Sequence, residues 1–114
     1  MNDRGTGLLL VMIDIDPDFE DEFNRWYDEE HFPERLACEG FISARRFMAV
    51  EGAPKYLAIY ELENPEVLEG EAYARLMPPS EWTQRVSSHF TYSLRNVYRD
   101  IAPGVEAPSG EDRA

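Results

Sequence analysis

The residues best suited to chemistry lie between Trp26 and Pro33, in the segment Trp-Tyr-Asp-Glu-Glu-His-Phe-Pro. If this segment is helical, Tyr27 and His31 lie one turn apart on an edge that borders an apolar face. An imidazole at such a border can have a pKa near neutral pH and act as a general acid–base, while the phenol orients it or binds a ligand. Asp28, three residues before His31, is placed to hold one ring nitrogen. Alternatively, His31 only closes the C-terminus of a helix, where a partly positive ring is favoured.

Arg45 and Arg46 are adjacent in a segment that is predicted to be a strand. Neighbouring strand residues point to opposite faces of a sheet, so one guanidinium must face the helices or a partner sheet. A buried guanidinium needs a carboxylate partner or an anionic ligand. The pair therefore predicts either a clamp for a substrate carboxylate or enolate, or ion pairs within the protein with acids such as Asp14 or Glu61.

Aromatic side chains are numerous for one small domain, at 12% of the residues. Most of them are expected to fill the core or a subunit interface. The remainder can line a pocket for a planar apolar ligand, and the tyrosines add hydroxyl groups that need partners when buried. We expect Trp26 and Tyr60 to contact such a ligand. The aromatic residues considered are Phe23, Trp26, Tyr27, Phe47, Tyr56, Tyr60, Trp82, Phe90, Tyr92 and Tyr98.

The chain contains two histidines and one cysteine, Cys38, in 114 residues. A single cysteine excludes an internal disulfide and a four-cysteine zinc site. The spacings typical of metal ligands, phosphate-binding loops and dinucleotide-binding folds do not occur. We therefore expect no metal and no cofactor. His89 is expected at the boundary between a helix and the last strand.

The chain is strongly acidic, with 11 basic and 23 acidic side chains and a net charge of -12. Such a charge disfavours binding to nucleic acids and to anionic membranes. The longest apolar run, residues 8–13, is far shorter than the ~20 residues that span a bilayer. The N-terminal residues lack the features of a signal peptide, which predicts a cytoplasmic protein.

The order of predicted elements is β-α-β-β-α-β. Strands are predicted over residues 8–15, 41–50, 55–62 and 90–99, with residues 51–54 joining the middle two. The first helix is predicted to begin after Asp16 and to end near Glu30 or His31, because Pro33 disfavours helical angles at the residue before it. A short turn is predicted over residues 34–37. A second helical segment is predicted to begin at residues 64–66, to be weakened by Gly70 and to end at Pro78-Pro79, and a short helix is predicted over residues 80–88. Residues 102–114 are predicted to be a disordered acidic tail.

This order predicts a single α+β domain over residues 1–101 with a ferredoxin-like fold, in which an antiparallel sheet carries helices on one face. The first strand is aliphatic on both of its alternating faces, which is typical of a strand that is buried on both sides. A second copy of the chain is the simplest source of the missing cover. We therefore expect a homodimer formed through the sheet faces.

The spacing of Tyr27, His31 and Pro33, followed by Gly40-Phe41 and the basic pair at residues 45–46, resembles the EthD-like branch of the dimeric α/β-barrel superfamily. The resemblance covers most of residues 8–101. It implies two sheets packed face to face as a barrel and a pocket between sheet and helices. It also implies that the family's histidine and tyrosine correspond to His31 and Tyr27.

Members of that superfamily include polyketide cyclases, decarboxylases, dehydratases, cofactor-free monooxygenases and haem-binding enzymes. The resemblance thus implies a small enzyme that acts on an aromatic or polyketide-like molecule with His31 as general acid–base. The alternatives are a non-catalytic dimer that binds a small molecule or assists another enzyme, and a haem-binding barrel.

Overall fold

The computed structural model describes residues 5–102 and 104–108 of the chain. Four antiparallel strands form one sheet in the order β2-β3-β1-β4. Their bounds are β1 Gly7–Ile15, β2 Phe41–Met48, β3 Tyr56–Leu62 and β4 Phe90–Arg99. The predicted ferredoxin-like α+β fold is confirmed.

Short helical segments connect the strands on one side of the sheet. After β1 come a 3-10 turn Pro17–Phe19, α1 Glu20–Trp26, a π-helical turn Tyr27–His31 and α2 Phe32–Leu36. After β3 come a 3-10 segment Pro65–Glu69, α3 Glu71–Ala74 and α4 Glu81–Ser87. The side chain of Asp16 accepts a hydrogen bond from the backbone N–H of Asp18, as expected for a residue that begins a helical segment.

The first helical segment does not end near His31, so the prediction of its end was wrong. Phe32 has helical angles, φ −64° and ψ −48°, and its N–H donates to the carbonyl of Tyr27, five residues earlier. Pro33 lacks an N–H, and its ring would collide with the carbonyl of Glu29 in a regular α-helix. A π-turn widens the helix at this point, and the helix can therefore continue through the proline.

The connection between β2 and β3 is longer than predicted. β2 ends at Met48 and β3 begins at Tyr56, which leaves residues 49–55 between them. The N–H of Ala49 donates to the carbonyl of Lys55 at 2.7 Å and closes this loop. Gly40, just before β2, has a φ of +97°, which glycine adopts without strain. The side chain of Val67 packs directly against it.

The hydrophobic core lies between the helices and one face of the sheet. Phe23, Tyr27, Tyr60 and Leu62 are its largest fully buried side chains. β3 alternates strictly, with every second side chain buried against the helices. Because the helices supply their own aromatic face, this side of the sheet is covered within one chain.

The opposite face of the sheet carries no helix, and we call it the open face. By strand register it includes Leu8, Leu10 and Met12 of β1 and Leu57 and Ile59 of β3. These side chains are only partly exposed in a single chain because neighbouring strands shield them. An aliphatic surface of this kind is consistent with the predicted homodimer, which stays a proposal for this chain.

Residues 104–108 form neither helix nor strand. The predicted disorder of residues 102–114 otherwise falls on residues outside the described ones, so it stays a prediction. Within the described ranges, no helix is both long and apolar enough to cross a membrane.

Candidate functional site

The π-turn and the third strand bring four predicted site residues together. The His31 ring stacks on Trp26 at 4.3 Å between ring centroids and meets Tyr27 at a right angle, at 5.2 Å. Tyr60, from β3, lies 6.3 Å from the His31 ring. We call Trp26, Tyr27, His31 and Tyr60 the His31 cluster. Sequence spacing predicted the helical part of it, whereas the proximity of Tyr60 depends on the packing of helix on sheet.

Two polar atoms of the His31 cluster are buried without a hydrogen bond of normal geometry to the described residues: Nδ1 of His31 and the hydroxyl oxygen of Tyr60. The phenol of Tyr27 is near enough to that of Tyr60 for each to shift the pKa of the other. The prediction that Asp28 holds a ring nitrogen of His31 was wrong, because Asp28 is exposed on the outer side of the π-turn. Buried polar groups almost always have a partner, so an unpaired pair in one cluster indicates a place where a ligand or water binds.

Burial sets the protonation of the His31 cluster. It lowers the pKa of His31 from 6.5 to about 3, and the positive charge of Arg35 acts in the same direction. Burial also raises the pKa of Tyr27 to about 12 and that of Tyr60 well above its usual value. At neutral pH the cluster therefore presents a neutral imidazole and two protonated phenols. The expectation that His31 titrates near neutral pH is not met in the unliganded protein, because packing of Trp26 and Tyr60 around the half-buried ring removes water from it.

Arg46 packs on the His31 cluster from β2. Its guanidinium donates to Oδ1 of Asn24 at 2.8 Å and lies 4.2 Å from the ring centroid of Tyr27. It is also 5.2 Å from the rings of Phe23 and Tyr56. Arg46 is thus held by an amide and by cation–π contacts, and the side of it that faces the cluster supplies a fixed positive charge.

Arg45 lies on the open face, away from the His31 cluster. Its strand partner is Ile59, and its guanidinium is 4.8 Å from the ring of Phe47. The prediction that the two arginines face opposite sides is confirmed by this register. The predicted ion pairs with Asp14 or Glu61 do not form among the described residues. Glu61 accepts a hydrogen bond from the N–H of Gly5, and Asp14 accepts one from the N–H of Lys55.

A hydrogen-bonded chain that the sequence did not predict holds the Trp26 indole. Nε1 of Trp26 donates to the hydroxyl of Thr83 at 3.0 Å, and that hydroxyl lies 3.0 Å from the carboxylate of Glu30. Ser80 caps α4 through the N–H of Thr83 and also donates to Glu30 at 2.6 Å. The capping serine was visible in the sequence, but its link to Glu30 requires α4 to pack on the π-turn. These hydrogen bonds fix the orientation of the Trp26 ring, on which His31 stacks.

The space between helices and sheet is filled by these aromatic side chains. Phe32 and Phe41 meet Tyr60 at 5.4 and 5.9 Å, and Tyr73 stacks on Phe41 at 6.0 Å. A cavity of about 430 Å³ lies instead on the open face, where Arg45 is among its lining residues. A ligand of the His31 cluster must therefore displace a side chain or enter from the exposed edge of the His31 ring.

The remaining chemistry-bearing residues do not join the His31 cluster. His89 stacks on Phe19 with 3.4 Å between ring centroids, at the boundary that was predicted for it. Cys38 is buried, and burial raises the pKa of its thiol, which disfavours a reactive thiolate. Within the described residues, no three His, Cys, Asp or Glu side chains are grouped closely enough to hold one metal ion.

The fold defines a ferredoxin-like α+β protein of the kind that includes dimeric members. A dimeric ferredoxin-like protein from an uncultured marine organism has a TM-score of 0.70 at 14% identity, covering 92% of this chain and 96% of that one. A monooxygenase of Streptomyces coelicolor in complex with the ligand nanaomycin D also has a TM-score of 0.70 at 14% identity, with 95% and 96% coverage. A NIPSNAP family protein of Agrobacterium tumefaciens has a TM-score of 0.67 at 12% identity, with 89% and 90% coverage.

By sequence, the chain belongs to the family described as domain of unknown function DUF4286, whose model matches residues 7–101. No curated protein matches the chain. The structural neighbours share the fold at identities that carry no residue roles. These similarities support the ferredoxin-like fold but do not distinguish the EthD-like branch, so membership of that branch stays a prediction.

Proposed function

We propose that the protein is a small homodimer that binds an aromatic or polyketide-like molecule at the His31 cluster, with His31 as general acid–base. The observation that carries the proposal is the pair of buried, unpaired polar atoms on His31 and Tyr60. Each such atom costs about 1–3 kcal/mol of folding free energy when it stays unpaired. A ligand with a hydroxyl or carbonyl oxygen would restore hydrogen bonds to both, while the aromatic rings contact its planar body.

The contacts of His31 with Trp26 and of Arg46 with Tyr27 are those that a proton-transfer reaction would use. A neutral imidazole is a proton acceptor, and the face of Trp26, with which His31 stacks at 4.3 Å, favours the imidazolium that results. Arg46 supplies positive charge next to Tyr27, where an enolate or phenolate would develop on the ligand. A conjugated ligand delocalises this charge itself, so the reaction needs no cofactor. Cyclisation, dehydration and cofactor-free oxygenation begin with removal of a proton, whereas decarboxylation ends with addition of a proton to the enolate that the loss of CO2 leaves.

The choice of ligand class rests on two similarities. The monooxygenase that shares the fold binds nanaomycin D, and the spacing of Tyr27, His31 and Pro33 resembles the EthD-like branch. The homodimer rests on the aliphatic open face and on the dimeric structural neighbour.

The alternative function is a dimer that binds the same class of ligand without reacting with it. The low pKa of His31, about 3, favours this alternative, because a base works best when its pKa lies near the working pH. In that case the neutral imidazole and Tyr60 would only hydrogen-bond to the ligand.

A thermal-shift screen tests binding with aromatic acids, quinols, polyketide-like phenols and haem, for the wild type, His31→Ala and Tyr60→Phe. A ligand at about 100 times its dissociation constant stabilises the folded state by about 2.7 kcal/mol, which shifts the melting temperature visibly. We expect phenolic or quinol ligands to stabilise the wild type and both variants to respond less. Equal responses in all three proteins would contradict binding at the His31 cluster.

The ligands found in this way then serve in turnover assays. If His31→Ala binds a ligand weakly and the wild type converts that ligand to a product, the result supports the proposal that the protein is an enzyme. If the wild type binds the ligand and never converts it, the non-catalytic alternative is supported. If haem binds with a Soret band and no phenol or quinol binds, the result would favour the haem-binding barrel.

A further inference from the structure

The cavity on the open face crosses all four strands at the end of the sheet where β1 begins. Its volume is about 430 Å³, which falls in the range of small-molecule sites. Leu8, Ile59 and Tyr98 form an apolar floor, and Ser43 and Arg45 of β2 lie on one side of it. The cavity and the His31 cluster are on opposite faces of the sheet, so a ligand in one does not touch the other.

Arg45 differs from the other arginines of the described ranges because it has no hydrogen bond or ion pair there. Five arginines pair with glutamates, Arg46 donates to Asn24, and Arg95 donates to Tyr73. The five paired arginines are Arg25, Arg35, Arg75, Arg85 and Arg99. Arg45 is exposed, and its guanidinium has no carboxylate partner in the described ranges although carboxylates outnumber basic groups about two to one.

The carboxylates near Arg45 are already engaged by the fold. Glu61 lines the cavity and accepts from the N–H of Gly5 at 2.8 Å and from the hydroxyl of Ser43 at 3.3 Å. Asp100, which also lines the cavity, accepts from the N–H of Ala102 at 3.0 Å. These bonds hold the carboxylates at the cavity wall and leave the guanidinium of Arg45 available for another anion.

We propose that this cavity binds a small organic carboxylate, with Arg45 paired to the carboxylate and the floor of Leu8, Ile59 and Tyr98 against the apolar body. A guanidinium matches a carboxylate through two parallel hydrogen bonds, which lysine cannot provide. If a second copy covers the open face, the partner sheet removes water from the cavity and strengthens the pairing. The site is separate from the one that is proposed at His31, and its ligand need not be the same molecule.

Isothermal titration calorimetry with 2-naphthoate tests the charge requirement, and neutral 2-naphthamide of similar size, which has no phenolic hydroxyl, is the comparison ligand. We expect the wild type to bind 2-naphthoate at least tenfold more tightly than 2-naphthamide. Arg45→Met keeps an unbranched side chain and removes the charge, so 2-naphthoate affinity falls about tenfold or more. Arg75→Met removes one exposed arginine elsewhere and is expected to leave the affinity unchanged.

Two further measurements test where the probe binds and whether Arg45 pairs with a second copy of the chain. His31→Ala is expected to bind 2-naphthoate like the wild type, because His31 is on the other face; loss of binding in it would place the probe at the His31 cluster and overturn the proposal. Light scattering of Arg45→Met and Arg45→Gln is expected to give the same mass as the wild type. A lower mass for both would show that Arg45 pairs with a second copy instead. Equal affinity of the wild type and Arg45→Met, or no binding to the wild type, would also overturn the proposal.

Discussion

The two faces of the sheet use similar residues in different surroundings. On the helix-covered face, Phe23, Tyr27 and Tyr60 are 0–2% exposed and the core is complete within one chain. On the open face, the aliphatic residues of β1 and β3 remain partly exposed, and a cavity opens among them. Side-chain type alone therefore does not determine burial, because the covering layer decides it.

The adjacent arginines show the same contrast at the scale of two residues. Arg46 is enclosed by Asn24 and three aromatic rings, whereas Arg45 has no polar partner in the described part of the chain. The pleat of β2 sends them to opposite faces. The same chemical group is therefore part of a packed site on one face and available for a ligand on the other.

The largest effect is expected for a core substitution on the helix-covered face. Phe23 is fully buried and contacts Trp26, Tyr27 and Tyr56, so Phe23→Ala leaves a cavity and costs about 3–5 kcal/mol of unfolding free energy. Chemical denaturation measures it, and the cost should not depend on protein concentration. Ile59→Ala on the open face is the matched control, whose cost should depend on concentration if a second copy covers that face. A concentration-independent cost for both would contradict the dimer.

A charge on the open face should break the dimer and leave the fold intact. Leu10→Glu places a carboxylate at the centre of the aliphatic surface, where burial without a partner is strongly unfavourable. We expect light scattering to give about twice 13.2 kDa for the wild type and 13.2 kDa for the variant, with unchanged circular dichroism. Leu36→Glu, at an exposed site on α2, is the control and should remain dimeric. A stable wild-type monomer at micromolar concentration would refute the dimer outright.

His31 should make stability depend on pH. Its pKa is about 3 in the folded protein and near 6.5 in the unfolded chain, so between these values the unfolded state binds a proton that the folded state does not. The stabilising contribution is complete above pH 6.5 and falls as the pH drops toward 3, by up to about 1.4 kcal/mol per pH unit. The unfolding free energies of the wild type and His31→Gln are measured by denaturation from pH 7 to 4. Their difference separates the contribution of His31 from that of the carboxylates, which titrate in both proteins. A pH-independent difference for His31→Gln would contradict the buried, neutral imidazole.

The smallest effect is expected at Tyr60. Removing a buried hydroxyl that has no partner in the described structure relieves its desolvation cost, so Tyr60→Phe should raise the unfolding free energy by about 1 kcal/mol. The same variant should bind phenolic ligands more weakly. Tyr56→Phe is the comparison, because the Tyr56 hydroxyl bonds to Glu20 and its loss should destabilise the protein. Destabilisation by Tyr60→Phe would indicate that a bound water already satisfies the hydroxyl.

The fold was largely predictable because its signals are local. Alternating strands, the proline and acidic residues that begin the first helix, and the element order all act over a few residues, and they led to the ferredoxin-like topology. The end of the first helix was not predictable in this way. A proline normally ends a helix, and only the widened π-turn allows Tyr27–His31 to continue into α2.

The candidate site was predictable only in part. Helical spacing placed Tyr27 near His31, and strand alternation separated Arg45 from Arg46. The depth of His31, and with it the low pKa, depends on the packing of Tyr60 and Trp26 around the ring. The chain from Trp26 through Thr83 to Glu30 joins residues that are more than fifty positions apart. Sequence therefore determined which residues share a helix edge or a sheet face, since those follow from backbone geometry. Tertiary structure alone decided which polar atoms lose water without gaining a partner, because desolvation depends on what packs around them.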